Sequence, residues 1–420
     1  MHRSTLHRPA VALLATGGLL AGVLAGGSAV ADNVNTGPTS VVAGVDTGLA
    51  QPAGVHRIAN GTTYATSSAG ASVTVYAPGA SGNADPVRTI KGAATKLSTP
   101  TGVDVDANGF IYVANFGTSS ITVYAPNANG DAAPVTTISG AATTLSAPVG
   151  IDVDPDGTVY VTSAASVLTF GPSATGNTAP SRRIAGASTG LVGPRGVVHQ
   201  ADGDLAVADP ASNRVSTFGA GANGNVAPDL AIVGGATGLS QPTGIGQDDT
   251  GRLYVSNVGT STVTTYPQGA DGNVAPQRAL TGAATGMSQP FAVQVSADRR
   301  IVTANFGNSS LRTFAPLFTK VVAKAPSKPR NLRVSGKARS KKRVVRWSVP
   351  SSTGGATITG YRITVSHQGK AVLTRTVSAG ARKATLKRSR LVRGRNRIVV
   401  RATNKAGSGK AAVTTIRVRK

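Results

Sequence analysis

The stretch Pro100-Thr101-Gly102-Val103-Asp104-Val105-Asp106-Ala107-Asn108-Gly109-Phe110-Ile111-Tyr112-Val113-Ala114-Asn115 decides how this chain folds. Val103 and Val105 alternate with Asp104 and Asp106, the two-residue period of a half-buried strand. Ala107-Asn108-Gly109 turns the chain, because Asn and Gly accept positive φ. Residues 110–114 are rich in β-branched and aromatic side chains and read as a second strand. Asn115-Phe116-Gly117 turns again, 120–124 make a third strand, and a Pro/Gly loop leads to a fourth at 135–138.

This unit recurs. The anchors Leu49, Leu97, Leu145, Leu191, Leu239 and Met287 lie 48, 48, 46, 48 and 48 positions apart. Each precedes a Pro and, in five copies, a Gly (Pro52/Gly54, Pro100/Gly102, Pro148/Gly150, Pro194/Gly196, Pro242/Gly244), while the last has Pro290 and Ala292. Four short strands per repeat predict a blade, and six repeats an all-β, six-bladed β-propeller. The sixth copy supplies three strands only (292–295, 300–304, 310–314). Residues 36–44 repeat the pattern of 133–140, so the N-terminal strand 40–43 is predicted to pair with 310–314 and close the ring. Closure removes the edges an open array would leave.

The strings Pro100-x-Gly102-Val103-x-Val105-Asp106-x-x-Gly109-x-Ile111-Tyr112-Val113-Ala114-Asn115 and Pro242-x-Gly244-Ile245…Gly251-x-Leu253-Tyr254-Val255-Ser256-Asn257 resemble NHL repeats. The senescence-marker/gluconolactonase-like six-bladed propellers are relatives of that group. The resemblance spans residues 39–316 and rests on turn and core positions, so it implies the fold and leaves the chemistry open.

Residues 1–31 read as a secretory signal: a basic start (Arg3, Arg8), an apolar run from 11 to 26, and Ala29-Val30-Ala31 as the cleavage pattern. No later segment could span a membrane. With no Cys, the exported chain holds together without disulfides. The expected organisation is propeller 32–317, basic linker 318–328 and a second domain 329–420. Charge divides along the same line. Residues 32–319 hold 13 Lys and Arg against 17 Asp, whereas 320–420 hold 28 Lys and Arg and no acid; the chain has no Glu.

Residues 329–420 carry seven candidate strands, which predict an immunoglobulin-like β-sandwich. Pro329-x-x-Leu332-x-Val334, Trp347 before Pro350, Gly354-Gly355…Ile358-x-Gly360-Tyr361-x-Ile363, and Arg401-Ala402-x-Asn404-x-x-Gly407-x-Gly409 resemble a fibronectin type III domain. That family usually has Tyr where Asn396 stands, so its tyrosine corner is expected to be missing. Alternation puts Trp347, Tyr361, Ile363, Ile398, Val400, Ile416 and Val418 in the core. Arg362, Arg397, Arg401, Arg417 and Arg419 then share one outer face, flanked by Arg388, Arg390, Arg393 and Arg395. A domain this basic repels itself, so the face is read as binding an anion. Arg suits phosphate or carboxylate because it bonds them bidentately. Both aromatic rings are assigned to the core, which leaves no platform for single-stranded bases.

In the propeller, the position two after the Gly anchor reads His56, Asp104, Asp152, Val198, Gly246, Gln294. One reading gives His56, Asp104, Asp152 and Gln294 a divalent cation whose hydroxide attacks an ester or lactone; the other makes them a polar channel lining. Gluconolactonase-like relatives use a Glu among their metal ligands, and none is present here. Streptogramin-lyase-like propellers depend on His, and only His56, His199 and His367 follow the signal. Asp152-Val153-Asp154-Pro155-Asp156-Gly157 imitates a calcium loop but lies in a hairpin and reads as a turn. The column Ser67, Asn115, Ser163, Asp209, Asn257, Asn305 is assigned to Asx-type turns.

The expected function is a secreted, non-enzymatic binding or scaffold protein of bacterial type, without a catalytic cofactor and monomeric. The propeller presents a recognition surface, for instance to a protein ligand. The cationic domain tethers it to an anionic cell-wall polymer or polysaccharide, or non-specifically to nucleic acid. The runner-up is a metal-dependent hydrolase, lactonase-like or glycan-processing, with the tail as targeting domain.

Overall fold

The computed structural model describes residues 32–319, 324–336 and 340–419; the expected export signal, 1–31, lies outside them. The chain divides into two compact units at Leu317/Phe318. Described elements are strands and three-residue 3-10 turns.

The first unit is a ring of six sheets, each with four antiparallel strands; in five of them these run from inner to outer in chain order, the sixth takes its outer strand from the N-terminal segment, and blade five gains a further, parallel strand. Its inner strands are Pro52–Arg57, Pro100–Val105, Pro148–Val153, Gly196–His199, Pro242–Gln247 and Pro290–Val295. They approach one another so closely that the glycine column has no room for a side chain. A Cβ on Gly54 would lie 2.3 Å from Thr101 O, and one on Gly150 would lie 2.1 Å from Arg195 O. Core side chains fill the spaces between successive sheets: Val73, Ile90, Ile111, Val113 and Tyr124 between blades one and two, for example.

Each blade is tied to the next by a repeated loop. A Gly with φ between 94° and 137° (Gly44, Gly92, Gly140, Gly186, Gly234, Gly282) starts a tight turn ending in a buried Thr. That Thr hydroxyl donates to the Gly carbonyl and accepts the N–H of the Leu or Met anchor, in all six copies. The column Ser67 to Asn305 differs from expectation. Its side chains are buried, and each accepts the N–H seventeen residues earlier (Ser67 from Ala50, Asn115 from Ser98, Ser163 from Ser146, Asp209 from Val192, Asn257 from Ser240, Asn305 from Ser288). These are clamps across a blade; Asp209 makes the expected local turn as well, its Oδ1 accepting the Ala211 and Ser212 N–H groups.

Ring closure follows the sequence reading: Ser40–Val42 pairs antiparallel with Ser310–Phe314, with Val41 opposite Arg312. A second closure was not foreseen. Asp32–Val34 runs parallel to the outer strand of blade five, with Val34 opposite Leu280. It completes a series in which a loop Gly of each next blade bridges the outer strand before it (Val42–Gly82, Ile90–Gly130, Ile138–Gly176, Ile184–Gly224, Ile232–Gly272). Asn35 Oδ1 accepts the Ala284 N–H (3.1 Å) as Asn83, Asp131, Asn177, Asn225 and Asn273 do in the other blades. The N-terminal segment therefore supplies the loop and outer strand of blade six, and covers an edge as well as closing one.

The second unit is a sandwich of two sheets. Arg330–Ser335, Lys342–Ser348 and Lys383–Lys387 form one; Lys370–Ser378, Gly360–His367, Gly394–Asn404 and Ala412–Val418 form the other. Trp347, Tyr361, Ile363, Ile398, Val400 and Val418 are buried between them, and Ile416 is half-buried. Asn396 occupies the corner where the family usually has a Tyr, and the tyrosine corner is absent as expected. Fully buried, Asn396 donates Nδ2 to Val392 O (2.6 Å) and Gly394 O (3.3 Å), and its Oδ1 accepts the Val392 N–H. Part of the expected linker belongs to this unit, since Lys324 N–H donates to Gly354 O and Asn404 Nδ2 to Lys324 O.

Deleting residues 32–44 removes both closures and is expected to lower the propeller's melting temperature by many degrees. Asn35→Ala removes one clamp and should cost about 1 kcal/mol. Thermal unfolding monitored by circular dichroism checks both, and an unchanged melt after the deletion would refute the closure.

Candidate functional site

The inner strands enclose a cavity of about 280 Å³ along the ring axis, lined by the His56–Gln294 column and its neighbours. The ring brings three of these polar side chains together on adjacent blades. His56 Nδ1 lies 2.5 Å from Asp104 Oδ1, and Asp104 is 5% exposed. Asp104 Oδ2 accepts the Val153 N–H of blade three (2.7 Å), and Asp152 Oδ2 accepts the His199 N–H of blade four (2.7 Å). Gln294 stands apart, its amide bonded to both Arg57 N–H (3.2 Å) and Arg57 O (3.3 Å) of blade one. Each group thus reaches sideways to the next blade. The column is a belt of inter-blade bonds, and a cation bound there would compete with backbone N–H donors for the carboxylates. Among the described residues no three His, Asp or Glu side chains are placed to hold a metal ion.

The belt has an unusual proton inventory. Burial disfavours the charged form of His56, but the charge and hydrogen bond of Asp104, with Asp152 behind it, outweigh burial and raise its pKa. Asp152 is pushed up to about 8, first by burial and then by the neighbouring Asp104 charge, against the opposing His199 N–H.

A second His–carboxylate pair lies just beyond, where the inner strands end. His199 Nδ1 is 2.6 Å from Asp154 Oδ1, and Tyr160 Oη donates to Asp154 Oδ2 (3.0 Å). The Tyr160 and His199 rings stack at 4.4 Å with 22° between planes. Burial and the Asp154 charge raise the Tyr160 hydroxyl to about 12, so it stays a donor. Sequence reasoning counted His199 among the three histidines that follow the signal but gave it no partner. The signal was present: inner-strand positions contact the next blade about one repeat later, as Asp152 and His199 do. Asp154 also begins the hairpin that imitates a calcium loop; Gly157 N–H donates to Asp154 O, which makes it a turn.

The two ends of the ring differ. Asp154, Asp156, Asp202, Asp248 and Asp249 surround a depression at the end where the inner strands finish. The opposite end exposes Val45 (93%), Phe116 (46%) and Val192 (61%), with Arg195 packed 5.2 Å over the Phe291 ring.

On the sandwich, Arg362, Arg397, Arg401, Arg417 and Arg419 are exposed, as are Arg390, Arg393 and Arg395; Arg388 is half-buried and donates to Arg419 O. The register sets like charges directly opposite one another. Arg362 faces Arg401 and Arg395 faces Arg417 on one sheet. On the other, Arg333, Arg346 and Lys383 form a row, and Lys342 faces Lys387. Trp347 and Tyr361 are buried against each other (5.3 Å), out of reach of a base.

Residues 97–124 match the NHL repeat and residues 327–417 the fibronectin type III domain. The chain is an NHL-type propeller followed by a fibronectin type III module, an architecture of binding or scaffold type. No curated protein matches the sequence. Similar solved structures include a streptogramin B lyase (12% identity, 64% of this chain and 94% of that one, TM-score 0.45). Others are virginiamycin B lyase from Staphylococcus aureus (12%, 74% and 95%, 0.44) and the WD40 propeller domain of Doa1 (11%, 63% and 78%, 0.45).

The raised pKa values fix a pH dependence. The His56 contribution to stability is complete below its unfolded value and is lost as pH rises through its folded one. Asp152 holds its proton in the fold up to about 8, so its ionisation penalises the folded state progressively from the ordinary carboxylate range up to that value. The Asp152 part of the decline is expected to run from the ordinary carboxylate range to about pH 8, with the His56 part added above its ordinary value. Asp152→Asn keeps an acceptor for His199 and should flatten that decline, gaining about 1 kcal/mol or more at pH 9. Melting temperature against pH for both proteins is the measurement.

Proposed function

We propose that this is an exported, non-enzymatic binding protein, held to an anionic polymer by its fibronectin type III module while the propeller presents a recognition surface. The observation that carries this reading is the register of the second unit. Like charges stand directly opposite on both sheets, and there is no acid between residues 320 and 420 to separate them. Opposed like charges in a sheet are destabilising by about 0.2–1 kcal/mol each. A surface arranged this way is relieved when phosphate or carboxylate groups intervene, and Arg fits both bidentately.

Export is supported by the signal-like pattern of residues 1–31; among the described residues no helix is long and apolar enough to cross a membrane. The anion fitting these facts is a wall polymer or acidic polysaccharide. Duplex nucleic acid would bind through the same charges without sequence preference. On the propeller, the end bearing Val45, Phe116 and Val192 offers exposed apolar side chains to a protein ligand, as Val87 and Val135 do elsewhere on the ring. Against turnover through a channel metal stands the use of Asp104 and Asp152 as backbone acceptors.

The test compares the full chain, a chain ending at Leu317, and the variant Arg362→Gln/Arg397→Gln/Arg401→Gln/Arg417→Gln. Each is measured for retention on cell-wall material bearing phosphate polymers, on acidic polysaccharide and on duplex DNA across a salt series. Retention of the full chain is expected to fall linearly on a log–log plot, with the slope reduced by about 3–4 in the quadruple variant and binding lost in the truncated chain. Salt-independent retention, or full retention without residues beyond 317, contradicts the proposal.

A further inference from the structure

We infer that the crevice between blades two and three is a socket for a guanidinium group. The argument comes from comparing the same place in other blades. At the start of the outer strand, blades one, three and five carry Arg88, Arg182 and Arg278. Each of these runs its guanidinium toward the following blade's loop. Arg88 Nη1 donates to Pro126 O (2.7 Å) and Ala128 O (3.2 Å); its Nη2 donates to Tyr64 Oη (3.3 Å), and its Cζ lies 5.9 Å from the Tyr64 ring centre. Arg182 donates to Ala220 O, at the position equivalent to Pro126, and Arg278 donates to Leu317 O.

Blade two has Thr136 at this position, and the crevice beside it is open, with a volume of about 420 Å³. The rest of the arginine's surroundings is retained. Tyr112 stands where Tyr64 does, and Pro172 and Ala174 replace Pro126 and Ala128 along the wall. Asp106 is added where blade one has Ile58, and Asp156 lies at the rim. In the same column Asp154 pairs with His199 and Asp248 with Arg252 (2.8 Å), whereas Asp106, whose Oδ1 accepts the Asn108 and Phe110 N–H groups, enters no ion pair among the described residues. A ring, two carbonyl-bearing residues and a carboxylate surround the space that an internal arginine fills in blade one.

Other unfilled crevices lack this complement. The one between blades six and one, about 380 Å³, already contains Arg57 and Arg300. The one between blades four and five is smaller, about 180 Å³, and Gln268 crosses it to reach Asp202. Guanidinium is the cation that suits the socket: it is planar, stacks on aromatic faces and is weakly hydrated. An ammonium group offers neither the plane nor the fork.

The experiment is calorimetric titration of the full chain with N-acetyl-arginine amide, with a Gly-flanked arginine pentapeptide and with N-acetyl-lysine amide. Saturable one-to-one binding of the arginine probes is expected, with the lysine probe about tenfold weaker or more. Thr136→Arg, which copies what three blades already carry, should fill the socket and abolish binding without lowering the melting temperature. Asp106→Asn should weaken binding about tenfold. Equal affinity for both arginine probes assigns the socket to a small guanidinium compound, and tighter pentapeptide binding assigns it to an arginine of a peptide partner. No saturable binding of either probe, or binding that both substitutions leave unchanged, overturns the inference.

Discussion

Around the axis of the ring, neighbouring inner strands are too close for a Cβ, and most of the first unit answers to that contact. It forces the glycine two residues after each Pro; only the sixth interface accommodates a methyl, at Ala292. It also brings side chains within bonding distance of the next blade's backbone, which is why Asp104, Asp152 and Gln294 spend their polar atoms on neighbouring strands. A ring packed this tightly at its centre tolerates no gap at its seam. The N-terminal segment therefore carries both an outer strand and the loop that would have preceded it, and Asn35 repeats the bond made by five internal residues.

The periodicity of Leu, Pro and Gly made the blades and the ring legible, because those residues answer to local constraints that repeat in every blade. The antiparallel closure was legible for the same reason, since 36–44 share the pattern of an internal outer strand. The parallel closure at Asp32–Val34 was not, because its Val34 stands where internal copies have Gly and the motif is too short to notice. The Ser67–Asn305 column was recognised as polar and conformational, but its bond spans seventeen residues and needs the blade to be folded before it can be seen. His199 and Asp154 are 45 positions apart and meet only through the curvature of the ring. Asn396 shows the opposite case: a missing Tyr suggested weakness, yet the short amide reaches its own loop and closes it.

Charge separates the two units by chemistry as well as by sequence. The ring holds all of the chain's acids, many of them on turns where a carboxylate caps backbone N–H groups, as Asp106 and Asp209 do. The sandwich holds none and sets Arg against Arg across its strands. Its buried rings and aliphatic side chains must hold the fold against that repulsion. The same surface that weakens the free domain is complementary to a dense anion, so binding and stabilisation are expected to be one event.

Differential scanning calorimetry of the full chain with and without inorganic polyphosphate therefore bears most directly on this account. Two transitions are expected, and only the sandwich's should move up, by several degrees, on addition of the polyanion. A shift of both transitions by the same amount, or of neither, would contradict it.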